Sequence, residues 1–193
     1  GNVWKNYPLP DKDLVRSVYV SDDQKVYCGA YEEFGYFEIT PGAAKYCSLS
    51  DVFEQSEIQN EEIWNIVSCG DNIIFQSFTS LFVYDGKGVT MIRDVHPLNL
   101  FNVAGKLYAQ KIEGDFVTLE IAPDGVVKME PVRLSVAFQE SIVAALPYED
   151  DLLLLTFSGN GYIVEDGNVR RWNTDAGNFL KDVRVNRAVA TKD

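Results

Sequence analysis

Histidine is nearly missing: His96 is the one imidazole in 193 residues. Cysteine is scarce too, with Cys28, Cys47 and Cys69 spaced by 19 and 22 residues and no CxxC pair. A Cys/His zinc centre draws its ligands from close local pairs, so both shortages speak against a metal site. The thiols read as small buried hydrophobes; one disulfide among the three is the other reading. Positive charge is short, with 17 Lys and Arg against 29 Asp and Glu and a formal net charge of −12. No basic run offsets this locally, so neither nucleic acid nor an anionic membrane surface is an expected partner. An apolar run of about 18 residues, enough for a spanning helix, is absent. So are a DxDxDG calcium loop, a P-loop and a dinucleotide fingerprint, and no cofactor is expected.

What is present is a core-forming composition, 46% hydrophobic and 12% aromatic, which argues against disorder. The chain opens at Gly1 inside a strand pattern and stops at "VRVNRAVATKD" as another begins. A segment of a longer protein is the expectation.

Gly-marked turns followed by a small or β-branched residue recur, at "GNVWKNY", "PGAAKYC", "DGKGVTMI", "DGVVKME" and "DGNVRRW". Val3, Ala44, Val89, Val127 and Val169 hold the equivalent slot, at intervals of 41, 45, 38 and 42 residues. Before each of the last four turns lie two strand-like runs, such as "NIIFQSF" with "SLFVYDG" and "DLLLLTF" with "NGYIVEDG". A further apolar run precedes each pair. "DG" between apolar runs is a hairpin signal, because Gly takes positive φ without steric cost. Quartets of short strands at about 40-residue spacing predict an all-β chain of β-propeller blades. The expected blades cover 13–47, 61–92, 99–131 and 140–172, with terminal strands at 3–7 and 182–190. Four four-stranded antiparallel units of this kind fit a fragment of a larger propeller. Residues 48–64 fit a short helix or a long loop equally well.

The stretch "VRSVYVSDDQKVYCGAYEEFGYFEI" and its partner "IWNIVSCGDNIIFQSFTSLFVYDG" resemble the two-component-regulator propeller repeats. The usual "G-x-I-W-x-G-T" core of those repeats is reduced here to "KVYCGA", "NIIFQS", "KLYAQK" and "DLLLLT". The resemblance implies the periplasmic sensor region of a membrane-anchored hybrid two-component or transcription regulator. It also implies an oligosaccharide ligand, and a kinase or DNA-binding output module elsewhere in the parent protein.

Catalytic residues are not expected. Adjacent carboxylates such as Asp22/Asp23 or Glu32/Glu33 point to opposite strand faces or sit in turns. His96 lacks a GxSxG partner for nucleophilic chemistry. A propeller-type carbohydrate-active enzyme and a protein-interaction scaffold remain the alternatives. Recognition is better placed on the loops where second-to-third-strand turns and blade-to-blade connections gather. There Tyr31, Phe34 and Phe78 are candidate sugar-stacking rings, with Glu33, His96 and Asn160 as candidate polar or ligand contacts.

An open arc of blades leaves apolar blade faces without neighbours. Self-association, or docking of the remaining blades, is therefore expected. Sedimentation velocity should show concentration-dependent dimers or larger species; a compact monomer at high concentration would contradict this.

Overall fold

The computed structural model describes residues 4–10, 14–122, 126–181 and 183–190. They fall in two compact units, residues 1–95 and 96–193. Each holds two four-stranded antiparallel sheets with strands in simple sequential order.

In the first unit, blade 1 is β1 (Ser17–Val20), β2 (Val26–Gly29), β3 (Phe34–Thr40) and β4 (Ala43–Ser48). A 3-10 turn (Ser50–Val52) and one helical turn, α1 (Gln55–Ile58), lead to blade 2. Blade 2 is β5 (Asn65–Cys69), β6 (Asn72–Gln76), β7 (Leu81–Tyr84) and β8 (Val89–Ile92). Residues 48–64 thus combine both expected readings, a short helix within a long loop. In the second unit, blade 3 is β9 (Pro97–Val103), β10 (Lys106–Lys111), β11 (Phe116–Ile121) and β12 (Val127–Pro131). Blade 4 is β13 (Ile142–Tyr148), β14 (Asp151–Thr156), β15 (Gly161–Glu165) and β16 (Asn168–Arg171), followed by α2 (Asp175–Leu180).

The turns behave as their residues dictate. Between β15 and β16, Asp166 and Gly167 both take positive φ, 48° and 85°. That is the pattern of the tightest hairpin turn, whose twist matches the flanking strands. Between β7 and β8, Asp85 Oδ1 accepts from the N–H groups of Lys87 and Gly88, both at 2.8 Å. The "DG" at 124–125 and the slot residue Val3 lie outside the described residues.

Blade stacking makes the cores. In the first unit Phe34 lies 4.8 Å from both Phe75 and Phe82, ring centre to centre, and Tyr27, Ile66 and Tyr84 complete the cluster. In the second unit Phe116, Ile142, Leu152 and Leu154 do the same. The run "DLLLLT" is continuous because β14 is buried on both faces. Leu152 and Leu154 face blade 3, while Leu153 and Leu155 pack with Trp172, Leu180 and Ala188.

That last contact corrects two expectations. The described parts of 3–7 and 182–190 form no strand. The second stretch, and Leu9 just past the first, act as lids instead. Leu9, 2% exposed, sits with Cys28, Ala30 and Phe37 on the outer face of blade 1. Val185 and Ala188 lie over the outer face of blade 4, and the Val185 N–H donates to the Phe157 carbonyl at 3.0 Å. An apolar residue every few positions suits a lid as well as it suits a strand. No disulfide joins Cys28, Cys47 or Cys69, so the disulfide reading is also corrected. Burial pushes the Cys28 thiol up to about 11, which suits a structural residue.

One backbone junction recurs in both units. In the first, the Ile63 N–H donates to the Ala30 carbonyl at 2.9 Å, and Ser17 Oγ donates to the Ile63 carbonyl at 2.9 Å. In the second, the Ile142 N–H donates to Gln110 Oε1 at 2.7 Å, and Asn99 Nδ2 donates to the Ile142 carbonyl at 2.9 Å. Ser17 pairs with Gly29 in register, and Asn99 pairs with Gln110. Ser17 and Asn99 thus hold the next blade from the same sheet position, while the second bond comes from Ala30, next to Gly29, in one unit and from the Gln110 side chain in the other. A Cβ on Gly29 would stand 2.4 Å from Ile63 Cγ2, so only glycine allows this approach.

Ile63→Ala and Ile142→Ala should each cost about 2–5 kcal/mol in urea unfolding. Gly29→Val should destabilise at least as strongly as Ile63→Ala. A loss below about 0.5 kcal/mol for all three would place the junction elsewhere.

Candidate ligand-recognition site

The turn between β2 and β3, "YEEF", is turned inward on its own unit. Tyr31 OH donates to Asn60 Oδ1 at 2.9 Å. Glu32, at φ +54°, accepts from the Asn60 N–H at 2.7 Å and from Gln55 Nε2. Glu33 accepts from Tyr46 OH at 2.7 Å and Ser48 Oγ at 3.0 Å. Burial and the Glu33 contact together push the Tyr46 hydroxyl far up, so it stays a donor. Phe34 is 1% exposed and belongs to the core. It cannot offer a face to a sugar, which corrects its assignment as a stacking ring. Glu33 is spent inside the blade. Of this group Tyr31 alone remains open, at 47% exposure.

Phe78 is 42% exposed, at the tip of the β6–β7 turn. Its ring leans on Trp64, with centres 5.4 Å apart, and the Arg16 guanidinium covers Trp64 at 5.3 Å. The turn is built around a buried carboxylate. Glu61 accepts from Thr79 Oγ1 at 2.6 Å and from Ser80 Oγ at 2.8 Å.

Blade 4 repeats this device. "SFTS" at 77–80 corresponds to the one-residue-longer "TFSGN" at 156–160, with Phe157 in the place of Phe78. Here Glu140 accepts from Ser158 Oγ, from the Ser158 N–H at 3.2 Å and from Asn160 Nδ2 at 3.1 Å. Asn160 also accepts from Arg171 at 2.6 Å through Oδ1. Its first role is therefore to cap the turn. Burial raises the Glu140 carboxyl, but the hydrogen bonds from Ser158, Asn160 and Thr156 together outweigh it and hold the group below the usual glutamate range. Sequence reasoning missed both glutamates. The signal was available, as a Glu ahead of the first strand and a hydroxyl-rich turn about 18 residues later.

His96, at φ +50°, opens the second unit, and its carbonyl accepts from the Ile112 N–H at 3.0 Å. The sequence candidates thus divide: Tyr31, Glu33, Phe34 and Phe78 in the first unit, His96 and Asn160 in the second. Within each unit they do not converge on one point.

Among the described residues, open space lies beside the turns of the second unit. One depression of about 280 Å³ sits between the β10–β11 turn and the connection into β13. Gln110, Lys111, Ile112, Glu113, Phe138 and Glu140 are among its walls. Ile112 is 52% exposed there, and Lys111 pairs with Glu113 at 3.6 Å. A second, of about 360 Å³, occupies the corresponding place after blade 4, between Asn160 and residues 171–181. In the first unit the Gln55 and Asn60 contacts described above occupy the equivalent position. Among the described residues no cluster of three metal-ligating side chains occurs, and no helix is long and apolar enough to cross a membrane.

No family model matches the chain, and no curated protein matches it. Solved structures do. A protein provisionally named a gluconolactonase aligns with a TM-score of 0.62 at 14% identity, over 86% of this chain and 66% of that one. YCF48 from Cyanidioschyzon merolae gives 0.60 at 13%, over 90% and 61%. The extracellular domain of a provisionally named hybrid two-component system from B. thetaiotaomicron gives 0.56 at 13%, over 86% and 22%. The chain thus spans less than two thirds of the length of each of these structures. At such identities the likeness establishes the fold, which is that of β-propeller blades.

Because the folded Glu140 carboxyl is held low, its contribution is complete above the unfolded value of about 4.3 and is lost as pH falls through the folded value. Glu140→Gln should therefore flatten the acid limb of a Tm-against-pH profile. Glu140→Ala, which strands Ser158 and Asn160, should cost about 1–3 kcal/mol at neutral pH. An acid limb unchanged in Glu140→Gln would contradict the assignment.

Proposed function

We propose that this chain is a non-catalytic, ligand-recognising part of an extracytoplasmic sensor in a two-component-type signalling or transcription regulator. The observation that carries the reading is the 280 Å³ depression beside the β10–β11 turn. It lies near the lower end of the roughly 300–1,000 Å³ usual for small-molecule sites. It joins polar groups to the exposed side chain of Ile112 on a rigid scaffold, as recognition loops do. The resemblance of "VRSVYV…GYFEI" to sensor propeller repeats supports the same reading, as does the structural likeness to the extracellular domain of a hybrid two-component system. An oligosaccharide is the ligand class that follows from the resemblance.

The competing enzyme reading has less behind it. The carboxylates at this depression are engaged, Glu113 with Lys111 and Glu140 with its turn. Further blades of a longer chain, or a second copy, are the partners this reading assigns to the exposed Val18 and Val20 of β1.

The test is a calorimetric screen of the full sensor region against oligosaccharides. Saturable binding that weakens about tenfold in Ile112→Asp or Lys111→Ala is expected. No binding by any oligosaccharide, with a protein co-purifying instead, would favour an interaction scaffold.

A further inference from the structure

The depression after blade 4 differs in charge from the rest of the molecule. The chain carries −12 overall, yet the described lining of this space holds two cations, Arg171 and Lys181, and no carboxylate. The amides of Asn160, Asn173 and Asn178 complete the polar lining. Neither cation makes an ion pair among the described residues.

Arg171 is held in position. One terminal nitrogen donates to Asn160 Oδ1 at 2.6 Å, and the guanidinium plane rests 5.3 Å over the Tyr162 ring. Asn160 is itself fixed by Glu140 and Ser158. The remaining guanidinium N–H groups have no acceptor among the described residues. Beside Arg171, the Trp172 indole packs so closely on Gly161 that a Cβ there would stand 2.8 Å from the ring. Its Nε1–H is buried and meets no acceptor among the described residues. A buried donor left without an acceptor costs about 1–3 kcal/mol.

Every unspent group here is therefore a donor or a cation, or an amide that can donate. We propose that this 360 Å³ depression binds a small molecule through an oxyanion group (carboxylate, sulfate or phosphate), with Arg171 as the principal contact and Lys181 as the second charge. A fixed guanidinium fork matches an oxyanion with two parallel hydrogen bonds. Lys181 adds a point charge on a flexible stem. In a chain of this net charge, long-range attraction cannot draw an anion in, so local pairing must supply the binding. The inference is independent of the oligosaccharide reading, which rests on the other depression.

The test is a titration of the isotope-labelled chain with citrate, sulfate and phosphate at constant ionic strength, with chloride as background. Saturable shifts are expected at the Trp172 indole N–H, assigned with Trp172→Phe, and at the Asn160, Asn173 and Asn178 amides. The three probes distinguish carboxylate from tetrahedral anions. Arg171→Gln should weaken the best anion tenfold or more, and Lys181→Gln several-fold. Both positions are exposed, and dispersed amide spectra will confirm that both variants fold. Shifts that do not saturate, that chloride reproduces, or that survive in both variants would overturn the proposal. Binding of a neutral oligosaccharide with no response to any of the three anions would overturn it and leave the sensor reading intact.

Discussion

A four-stranded blade with apolar residues on both faces cannot stay in water alone. In each unit that constraint is met by docking the second blade on the first through one isoleucine. Ile63 and Ile142 are 1% and 0% exposed, and the backbone of each is gripped by the first blade's opening pair of strands. The gripping positions carry Ser17 and the Gly29–Ala30 step in one unit and Asn99 and Gln110 in the other. Small residues let backbone meet backbone directly; amides reach across the gap and replace those contacts with side-chain hydrogen bonds. The amide solution buries polar groups, which is tolerable because Gln110 uses both ends of its side chain, Oε1 to Ile142 and Nε2 to the Glu140 carbonyl.

The depressions beside the turns are a by-product of that docking. Holding the isoleucine in place sets the second-to-third-strand turn of one blade beside the connection into the next. The length and chemistry of the connection decide what results. In the first unit a connection with a helical turn places Gln55 and Asn60 on Glu32. In the second unit the connection leaves space by Ile112 and Phe138. The buried Glu61 and the half-buried Glu140 then fix the turns that border these positions. A turn fixed in this way would hold a ligand group at little entropic cost.

Much of this was legible in the residues. Strand quartets, "DG" turns and the spacing near 40 gave the blades, because period-two burial and positive-φ turns leave direct marks in sequence. The amide pair is also visible afterwards, since Asn65 with Gln76 and Asn99 with Gln110 share one spacing and one register. The site was less legible. Phe34 sits one residue past a turn, where sequence alone cannot separate a ring facing solvent from one facing the next blade. Val185 looks like a strand residue because a lid needs the same apolar side chains. The six residues of α2 were invisible, because one short turn capped by Thr174 carries no periodicity.

The central claim is that recognition belongs to the depressions beside the turns of the second unit. Hydrogen–deuterium exchange of the chain, with and without a bound ligand, tests it most directly. Slowed exchange at residues 110–114 and 138–141, or at 159–161 and 171–181, is the predicted result. Protection confined to residues 31–34 and 55–60, with the second unit unchanged, would contradict it.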